Sequence, residues 1–419
     1  MTAYDLIVIG GGPAGMMAAG TAAEAGASVA MIEKNQRNGK KLLITGKGRC
    51  NVTNDCTRDN FFANIPVNPK FLFSAYARFS NRDVMDFFEA HGVRLKVERG
   101  NRVFPVSDHA ADINNALTDF CKKAGVRIVR DTALKVTAED GKIHSVDTQM
   151  SGTLRCGTCV IATGGMSYPL TGSTGDGYRF ARELGHTVIK PKPSLVPLVI
   201  EGKECAEAQG LSLRNISITI TETDSGKVIY KDFGEMLFTH FGMSGPVILS
   251  ASSHMRDPKK KYKISIDLKP ALTPEQLDNR IQRDFSENIN KDFGNSLSKL
   301  LPQKLISVII RRTGIPYNTK VNSIRREQRL ALTELLKNLE YNVIGFRPIE
   351  EAIITSGGIS ISEISPKTME SKLVEGLYFA GEVIDVDAHT GGFNLQIAFS
   401  TGRCAGIAAA ERMGYYSYD

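Results

Sequence analysis

The chain has 419 residues, enough for two or three domains, and its 42% hydrophobic and 23% charged residues match an ordinary globular enzyme. No apolar run approaches the roughly 20 residues that span a bilayer, no signal-peptide pattern opens the chain, and seven sparse cysteines do not make a disulfide framework. A cytoplasmic protein without membrane or nucleic-acid partners is expected, and the mild net charge of +7 favours anionic ligands.

The first forty residues carry a specific pattern. Residues 6–9 read as a buried strand, 14–25 as a small-residue helix stopped by Gly26, and 28–32 as a second strand. Between strand and helix the glycines fall as Gly10-x-Gly12-x-x-Gly15. Gly10 permits the tight turn, Gly12 lets a pyrophosphate approach the helix N-terminus, and Gly15 lets helix and strand pack closely. Pro13 stands at a helix start, where its missing N–H costs nothing, and Ala14 follows it. Glu33 ends the second strand 18 positions after Gly15, where a carboxylate can take ribose hydroxyls. A dinucleotide site is predicted here; the fingerprint alone does not choose between FAD and NAD.

The stretch KNQRNGKKLLITGKGRCNVTN (residues 34–54) follows, in place of the regular βαβ repeats of a single-cofactor dehydrogenase. Gly48 after Gly46-Lys47 fails the Walker spacing, and Cys50 and Cys56 with no nearby histidine are poor metal ligands. What remains is a glycine-rich loop at the carboxyl ends of the strands. Its backbone N–H groups from Thr45 through Gly46 to Arg49 can meet a pyrophosphate or flavin ring, and Arg49 can offset phosphate charge.

Farther on, an apolar strand ends in the turn Ala162-Thr163-Gly164-Gly165. A second glycine-rich turn, residues 172–177, leads to a helix over 178–184 with Asp176 as its cap; a plain helix start is the alternative for this turn. Cys156 and Cys159 form a C-x-x-C, but they precede a strand and have no second pair, so the spacing reads as coincidence against a redox or zinc site. Residues 191–270 alternate in polarity and predict a small antiparallel barrel or sandwich; Thr273-Pro274-Glu275 opens helical text up to about residue 350. The basic run RDPKKKYK (residues 256–263) reads as a solvated loop more than a nucleic-acid patch. Residues 377–380 return to a buried strand, Gly381-Glu382 to a turn, and Gly391-Gly392 to the start of an apolar helix over 394–410. TSGGIS (residues 355–360) lacks the spacing of a second fingerprint, so a nicotinamide donor, NAD(P)H, would dock only transiently.

GKKLLITGKGRCNVTN, PSLVPL (193–198), GEMLFTHFGMSGPVIL (234–249) and GLYFAGEVIDVDAHTGGFNLQIAFSTG (376–402) together resemble the HI0933-like flavoprotein family. This family is also described as BaiN-like or aminoacetone-oxidase-like FAD-dependent oxidoreductases. The resemblance covers nearly the whole chain; Ala388-His389 departs from the family pattern, which leaves the role of His389 open. It implies an α/β fold with a Rossmann-like FAD-binding domain of the two-dinucleotide-binding-domain flavoprotein type, carrying an inserted antiparallel β-barrel and a small helical subdomain. The division would be 1–190 with 351–419, then 191–270, then 271–350. By the same resemblance Thr163 and Gly164 lie along FAD, Tyr168 near the ring, and the helix start at Gly392 faces the N1/O2 edge of the isoalloxazine. Glu382 and Asp385 are candidates for ribityl contacts, with exposed loop acids as the alternative. The cofactor set is completed by Pro13, Ala14, Lys34, Lys41, Cys50, Asn51, Ala133, Gly165, Gly381, Phe393, Asn394 and Leu395. Tyr168, His240 and His389 are the candidate proton donors; His240 in FTHFGMSGP can equally be a packed or capping histidine. The implied activities are NAD(P)H-linked reduction of a conjugated C=C in a 3-oxo-Δ4,6 bile acid, or oxidation of aminoacetone or related amines by dioxygen. The substrate would be a small molecule in either case, and a flavin-bearing RNA-modifying or RNA-binding protein is the rival from another class.

Overall fold

The computed structural model describes residues 3–255, 257 and 259–415, so Arg256 and Pro258 of the basic run lie outside the described residues. The chain divides into two compact units, residues 1–194 with 349–419, and residues 195–348.

The first unit begins β1 (Ala3–Ile9), α1 (Pro13–Glu24), β2 (Val29–Ile32). Both strands are apolar and buried because each lies inside a sheet covered on two faces. Short elements follow: β3 (Thr53–Asn54), α2 (Arg58–Ala63), α3 (Phe73–Arg78), α4 (Asn81–Ala90), β4 (Leu95–Glu98), β5 (Arg102–Pro105) and α5 (Ala110–Lys123). Next come β6 (Arg127–Val129), an antiparallel meander β7 (Ala133–Glu139), β8 (Lys142–Thr148), β9 (Gly152–Ile161), then α6 (Asp176–Glu183) and β10 (Val188–Ser194). The main sheet runs β6-β2-β1-β9-β8-β7.

The second unit holds β11 (Leu198–Ile200), α7 (Glu204–Glu207), β12 (Ser212–Glu222), β13 (Val228–Thr239), β14 (Gly242–Ser244), α8 (Pro246–His254) and β15 (Tyr262–Asp267). Helices α9 (Pro274–Ser286), α10 (Phe293–Ser296), α11 (Gln303–Thr313) and α12 (Arg326–Lys337) precede β16 (Leu339–Phe346). Strands β11-β14-β13-β12-β15-β16 close into a barrel, filled by alternate residues such as Ile216, Ile218, Ile220, Ile264 and Ile266. Helix α9 starts at a reciprocal Thr273–Gln276 capping box and buries Leu277 and Ile281. The helical text of residues 324–340 ends as a helix at Lys337, and the chain returns as β16 to complete the barrel. This unit carries 23 Lys and Arg against 17 Asp and Glu, whereas the rest of the chain carries 29 against 28.

The chain re-enters the first unit as β17 (Ile354–Ile359), antiparallel to β10, then β18 (Leu377–Phe379) and α13 (Phe393–Arg412). β18 adds parallel to the last residues of β9, so β6, β2, β1, β9 and β18 all run the same way. Helices α1 and α13 cross with almost no side chain between them. A Cβ on Gly402 would stand 2.4 Å from Ala14 O, and one on Gly406 would stand 2.5 Å from Ala18 O. Among the described residues no helix is long and apolar enough to cross a membrane.

Candidate functional site

The carboxyl ends of β1, β2, β9 and β18 meet at one edge of the sheet, the place where open α/β folds bind ligands. Gly10 N donates to Ile32 O at 2.9 Å and Ala162 N to Ile9 O at 2.9 Å, which ties three strand ends together. Gly10 has φ 106°, and a Cβ there would stand 2.5 Å from Ala162 O. A Cβ on Gly15 would stand 1.8 Å from Gly10 O, whereas one on Gly12 would meet nothing within 4 Å. The turn is therefore packed against protein at Gly10 and Gly15 and open at Gly12. Pro13 and Ala14 begin α1 behind it.

The Glu33 carboxylate, 7% exposed, sits under this turn. It accepts from Gly11 N at 2.7 Å and from both Asn35 N and Asn35 Nδ2 at 2.7 Å. Ala133 starts β7 nearby in the chain path, since Asp131 N bonds Glu33 O. Lys34 reaches Asp176 at 2.6 Å and Thr174 at 2.6 Å. Burial alone would raise the Asp176 pKa, but the bonds from Lys34 and Thr174 hold it below the usual carboxylate range. Asp176 is thus the first residue of α6 and an ion-pair partner, not its cap; Gly175 in the left-handed region holds that position.

A four-residue network joins separate parts of the chain. Lys41 Nζ lies 2.8 Å from Glu382 Oε2 and 2.7 Å from Ser167 Oγ. Glu382 Oε1 accepts from Thr355 N at 2.8 Å and Ser167 Oγ at 3.1 Å, and Thr355 Oγ1 accepts from Met166 N at 2.8 Å. Sequence reasoning included Lys41 and Glu382 and missed Ser167 and Thr355. TSGGIS contains Thr355 and gives no fingerprint; its hydroxyl matters only through the fold. Gly165 is beside the same group, since a Cβ there would stand 2.4 Å from Thr355 Oγ1.

The opening stretch coils through 42–48 in tight turns, with Gly46, Lys47, Gly48 and Cys50 all at positive φ. Such a cluster of left-handed residues marks a segment held in shape by its surroundings. Several of its groups are already used: Cys50 N donates to Thr45 O, Arg49 N to Gly46 O, and Thr45 Oγ1 to Leu42 O. The Arg49 guanidinium pairs with Glu98 and Asp108, both at 2.5 Å, and lies over Phe104. Its charge is therefore already matched within the protein. Cys50 is fully buried, and burial pushes its thiol up to about 12, so it carries no thiolate near neutrality. Cys156 and Cys159 are likewise buried in β9.

The start of α13 closes the other side. Gly391 and Gly392 have φ 126° and 97°, and a Cβ on Gly392 would stand 2.3 Å from Thr53 O. Asn54 Nδ2 donates to Gly391 O at 3.0 Å, so the end of the opening stretch is anchored to this helix start. The Asn394 amide staples the loop before the helix, accepting from Ala388 N at 3.0 Å and donating to Ala388 O at 2.8 Å; Phe393 and Leu395 flank it. Asp385 is half-buried, not a free loop acid: burial raises its pKa, and Asn68 Nδ2 donates to its backbone O at 2.7 Å and its carboxylate at 3.1 Å.

The three proton-donor candidates differ. Tyr168, at φ 52°, directly follows Ser167; burial and then Glu351 raise its pKa, so the phenol keeps its proton at neutral pH. His389 Nδ1 stands 3.3 Å from Asn64 Oδ1, before α13. His240 belongs to the second unit, exposed on the turn between β13 and β14 with Phe241 at its edge. The rest of its motif builds the barrel, since Met236, Phe238, Met243, Val247 and Ile248 are buried.

Three buried polar atoms around this edge have no protein partner among the described residues: Asn38 Nδ2, Asn51 Oδ1 and Thr163 Oγ1. Asn38 and Asn51 pack against Gly11 and Gly46, and Thr163 Oγ1 lies beside Gly177, where a Cβ would stand 2.2 Å from it. Buried polar groups are rarely left so, and a bound polar ligand along the turn would supply the missing bonds. With the open approach over Gly12, the residues present fit a dinucleotide such as FAD.

Residues 4–408 match the family described as HI0933-like protein Rossmann domain. The chain is 33% identical over 403 residues to a ribosomal RNA dihydrouridine synthase of Escherichia coli, covering 96% of each chain. It is 31% identical over 417 residues to a 3-dehydro-bile acid delta(4,6)-reductase of Clostridium scindens, covering 97% of this chain and 98% of that one. Among solved structures, a 3-ketosteroid delta1-dehydrogenase from Sterolibacterium denitrificans matches with TM-score 0.52 at 13% identity, over 98% of this chain and 100% of that one; this likeness concerns the fold.

Proposed function

The chain belongs to the HI0933-like family and is an FAD-dependent oxidoreductase, and we propose that it reduces a carbon–carbon double bond conjugated to a carbonyl. The two full-length relatives support this reading jointly: a uracil reduced to dihydrouracil and a 3-oxo-Δ4,6 steroid reduced at its diene are the same reaction class. FAD, when bound, supplies a hydride. Gly10, Gly12 and Gly15 with the start of α1 would hold its pyrophosphate, Glu33 its adenosine ribose, and the turns at Thr163–Gly165 and Gly381–Glu382 its flavin half. The start of α13 would offer a positive helix end to the ring, and the Lys41–Glu382–Ser167–Thr355 network keeps the Gly381 turn in place. Tyr168 holds a proton at its hydroxyl at neutral pH and is the proposed donor to the carbon next to the carbonyl, with His389 as the alternative. NAD(P)H is the proposed electron source.

For the substrate, uracil within ribosomal RNA is the first reading, carried by the 33% identity to the dihydrouridine synthase and supported by the basic surplus of the second unit. A 3-oxo-Δ4,6 bile acid is the second, carried by the 31% identity to that reductase. The test incubates the holoprotein anaerobically with NADPH or NADH and either unmodified ribosomal RNA transcribed in vitro or the dienone. Gain of two hydrogens at a uridine, read by mass spectrometry, supports the first; loss of dienone absorbance supports the second. Conversion of neither removes the reading. Tyr168→Phe is expected to lower turnover by about 10²-fold or more with FAD content unchanged.

A further inference from the structure

The half-buried basic side chains near the barrel rim mostly sit beside carboxylates: Arg280 meets Asp284 at 2.9 Å, Arg329 meets Asp278 at 2.7 Å, and Lys337 meets Asp267 at 2.6 Å, while many exposed ones of the second unit have no such pair. Lys269 differs. It is half-buried, yet no carboxylate lies within 4.0 Å of its ammonium among the described residues. Burial, and after it the nearby Arg280, hold its pKa below the ordinary lysine value, against a smaller pull from Asp284. A half-buried ammonium with no carboxylate in direct contact gains from an added anion.

Lys269 lines a cavity of about 200 Å³ together with Ser212, Arg214, Asn215, Leu301 and Pro302, and no carboxylate is in its wall. Arg214 is exposed there and has no ion-pair partner among the described residues. The local backbone is shaped for this. Inward residues of β12 run 216, 218, 220 but then 213, a slip in the alternation. The pairing of β12 with β13 shifts by one residue between Leu213 and Ile216, so Arg214 and Asn215 sit on a bulge. Bulges re-aim side chains, and this one lies just past the last pair of β12 with β15, Ser217 with Asp267, beyond which Leu268 and Lys269 continue. Leu301 and Pro302, which also line the cavity, lead into α11, whose first turn carries no acid.

We propose that this cavity binds a phosphodiester group of the RNA backbone and so helps to hold the substrate on the second unit. The inference rests on the ribosomal RNA reading above. The volume suits it: small-molecule pockets run to roughly 300–1,000 Å³, too large a class for this cavity, whereas a phosphate needs little room and two cations. Phosphate contacts of this kind fix register and carry no sequence information.

The test measures binding of a labelled ribosomal RNA fragment to the holoprotein across a potassium chloride series. Arg214→Met with Lys269→Met is expected to raise Kd about tenfold and to lower the salt slope by about 0.7–0.9 for each phosphate the variant no longer neutralises. Lys269→Arg should bind nearly as the wild type, and Lys299→Met, at an exposed pair with Glu287, should change neither quantity. Circular dichroism and the denaturant midpoint of each variant check its folding. Inorganic phosphate added at constant ionic strength should weaken RNA binding by the wild type and not by the double variant. A double variant with wild-type Kd and slope, or equal competition by phosphate in both proteins, overturns the site while the RNA reading stands. A wild type that binds no fragment at low salt overturns both.

Discussion

In the first unit the closest contacts run backbone to backbone, as where Gly402 and Gly406 let α13 lie on Ala14 and Ala18 of α1. In the second unit the helices meet the barrel through branched side chains, with Leu277, Ile281, Leu305, Ile309, Leu332 and Leu336 filling the space between them. The charges differ in the same sense: near balance in the first, a surplus of Lys and Arg in the second. A unit that must bring main-chain N–H groups to a dinucleotide has little tolerance for added volume at its glycines. A unit packed by side chains takes up a deletion by partial collapse, at a cost in stability.

The strongest contrast is expected from one substitution in each unit. Gly402→Val forces side-chain atoms into the Ala14 carbonyl, where no rotamer relieves a clash with backbone, and should prevent recovery of yellow holoprotein. Leu277→Ala removes a fully buried side chain and should cost about 2–5 kcal/mol, read by denaturant titration, while FAD stoichiometry stays at the wild-type level. Loss of FAD from the leucine variant would break the comparison.

An intermediate effect is expected at the network that fixes Gly381. Lys41→Met, Glu382→Gln and the pair form a cycle whose interaction should be about 1–2 kcal/mol. That is below the roughly 3–5 kcal/mol of a fully buried pair, because both side chains keep about a fifth of their exposure. FAD dissociation rates read the same cycle, and additive effects would mean that the pair is incidental.

A weaker effect is a pH dependence. His186 is buried between Ser371 Oγ at 2.9 Å and Glu363 Oε2 at 3.2 Å. Burial lowers its pKa below the ordinary 6.5, and the attraction of Glu363 only partly opposes this. The unfolded chain therefore takes up the proton first, and stability falls as pH drops below about 6.5. Glu363 has a lowered pKa despite burial, through Thr187 and His186, so its contribution is present above 4.5 and fades below it. Both act in the same direction. Thermal midpoints from pH 8 to pH 5 should decline, and His186→Gln should flatten the upper part of that decline.

Much of the first unit is legible in the chain because its rules are local. The Gly10–Gly15 turn, its helix and its two strands each follow from residues within thirty positions, and the observed β1, α1 and β2 lie within a few residues of the expected bounds. The barrel is legible from period-two alternation in residues 212–222 and 262–267. Its last strand is not: LEYNVIGF follows a strong helical pattern, and only pairing with β11 and β15, more than seventy residues earlier, makes it a strand. Asp176 misleads for a similar reason. A short acid before a helix is a good cap by sequence, but Lys34, far away in the chain, offers it an ion pair.

The order of strands, turns and helices, and the glycines that the backbone cannot do without, are written in the residues themselves, since sterics and periodicity act over a few positions. That Ser167 and Thr355 hold Glu382 in place, that Arg49 is spent on Glu98 and Asp108, and that Lys269 meets no carboxylate among the described residues emerge only in three dimensions. Each of these depends on which distant side chain arrives within hydrogen-bonding distance, and that is set by how the sheet and barrel close.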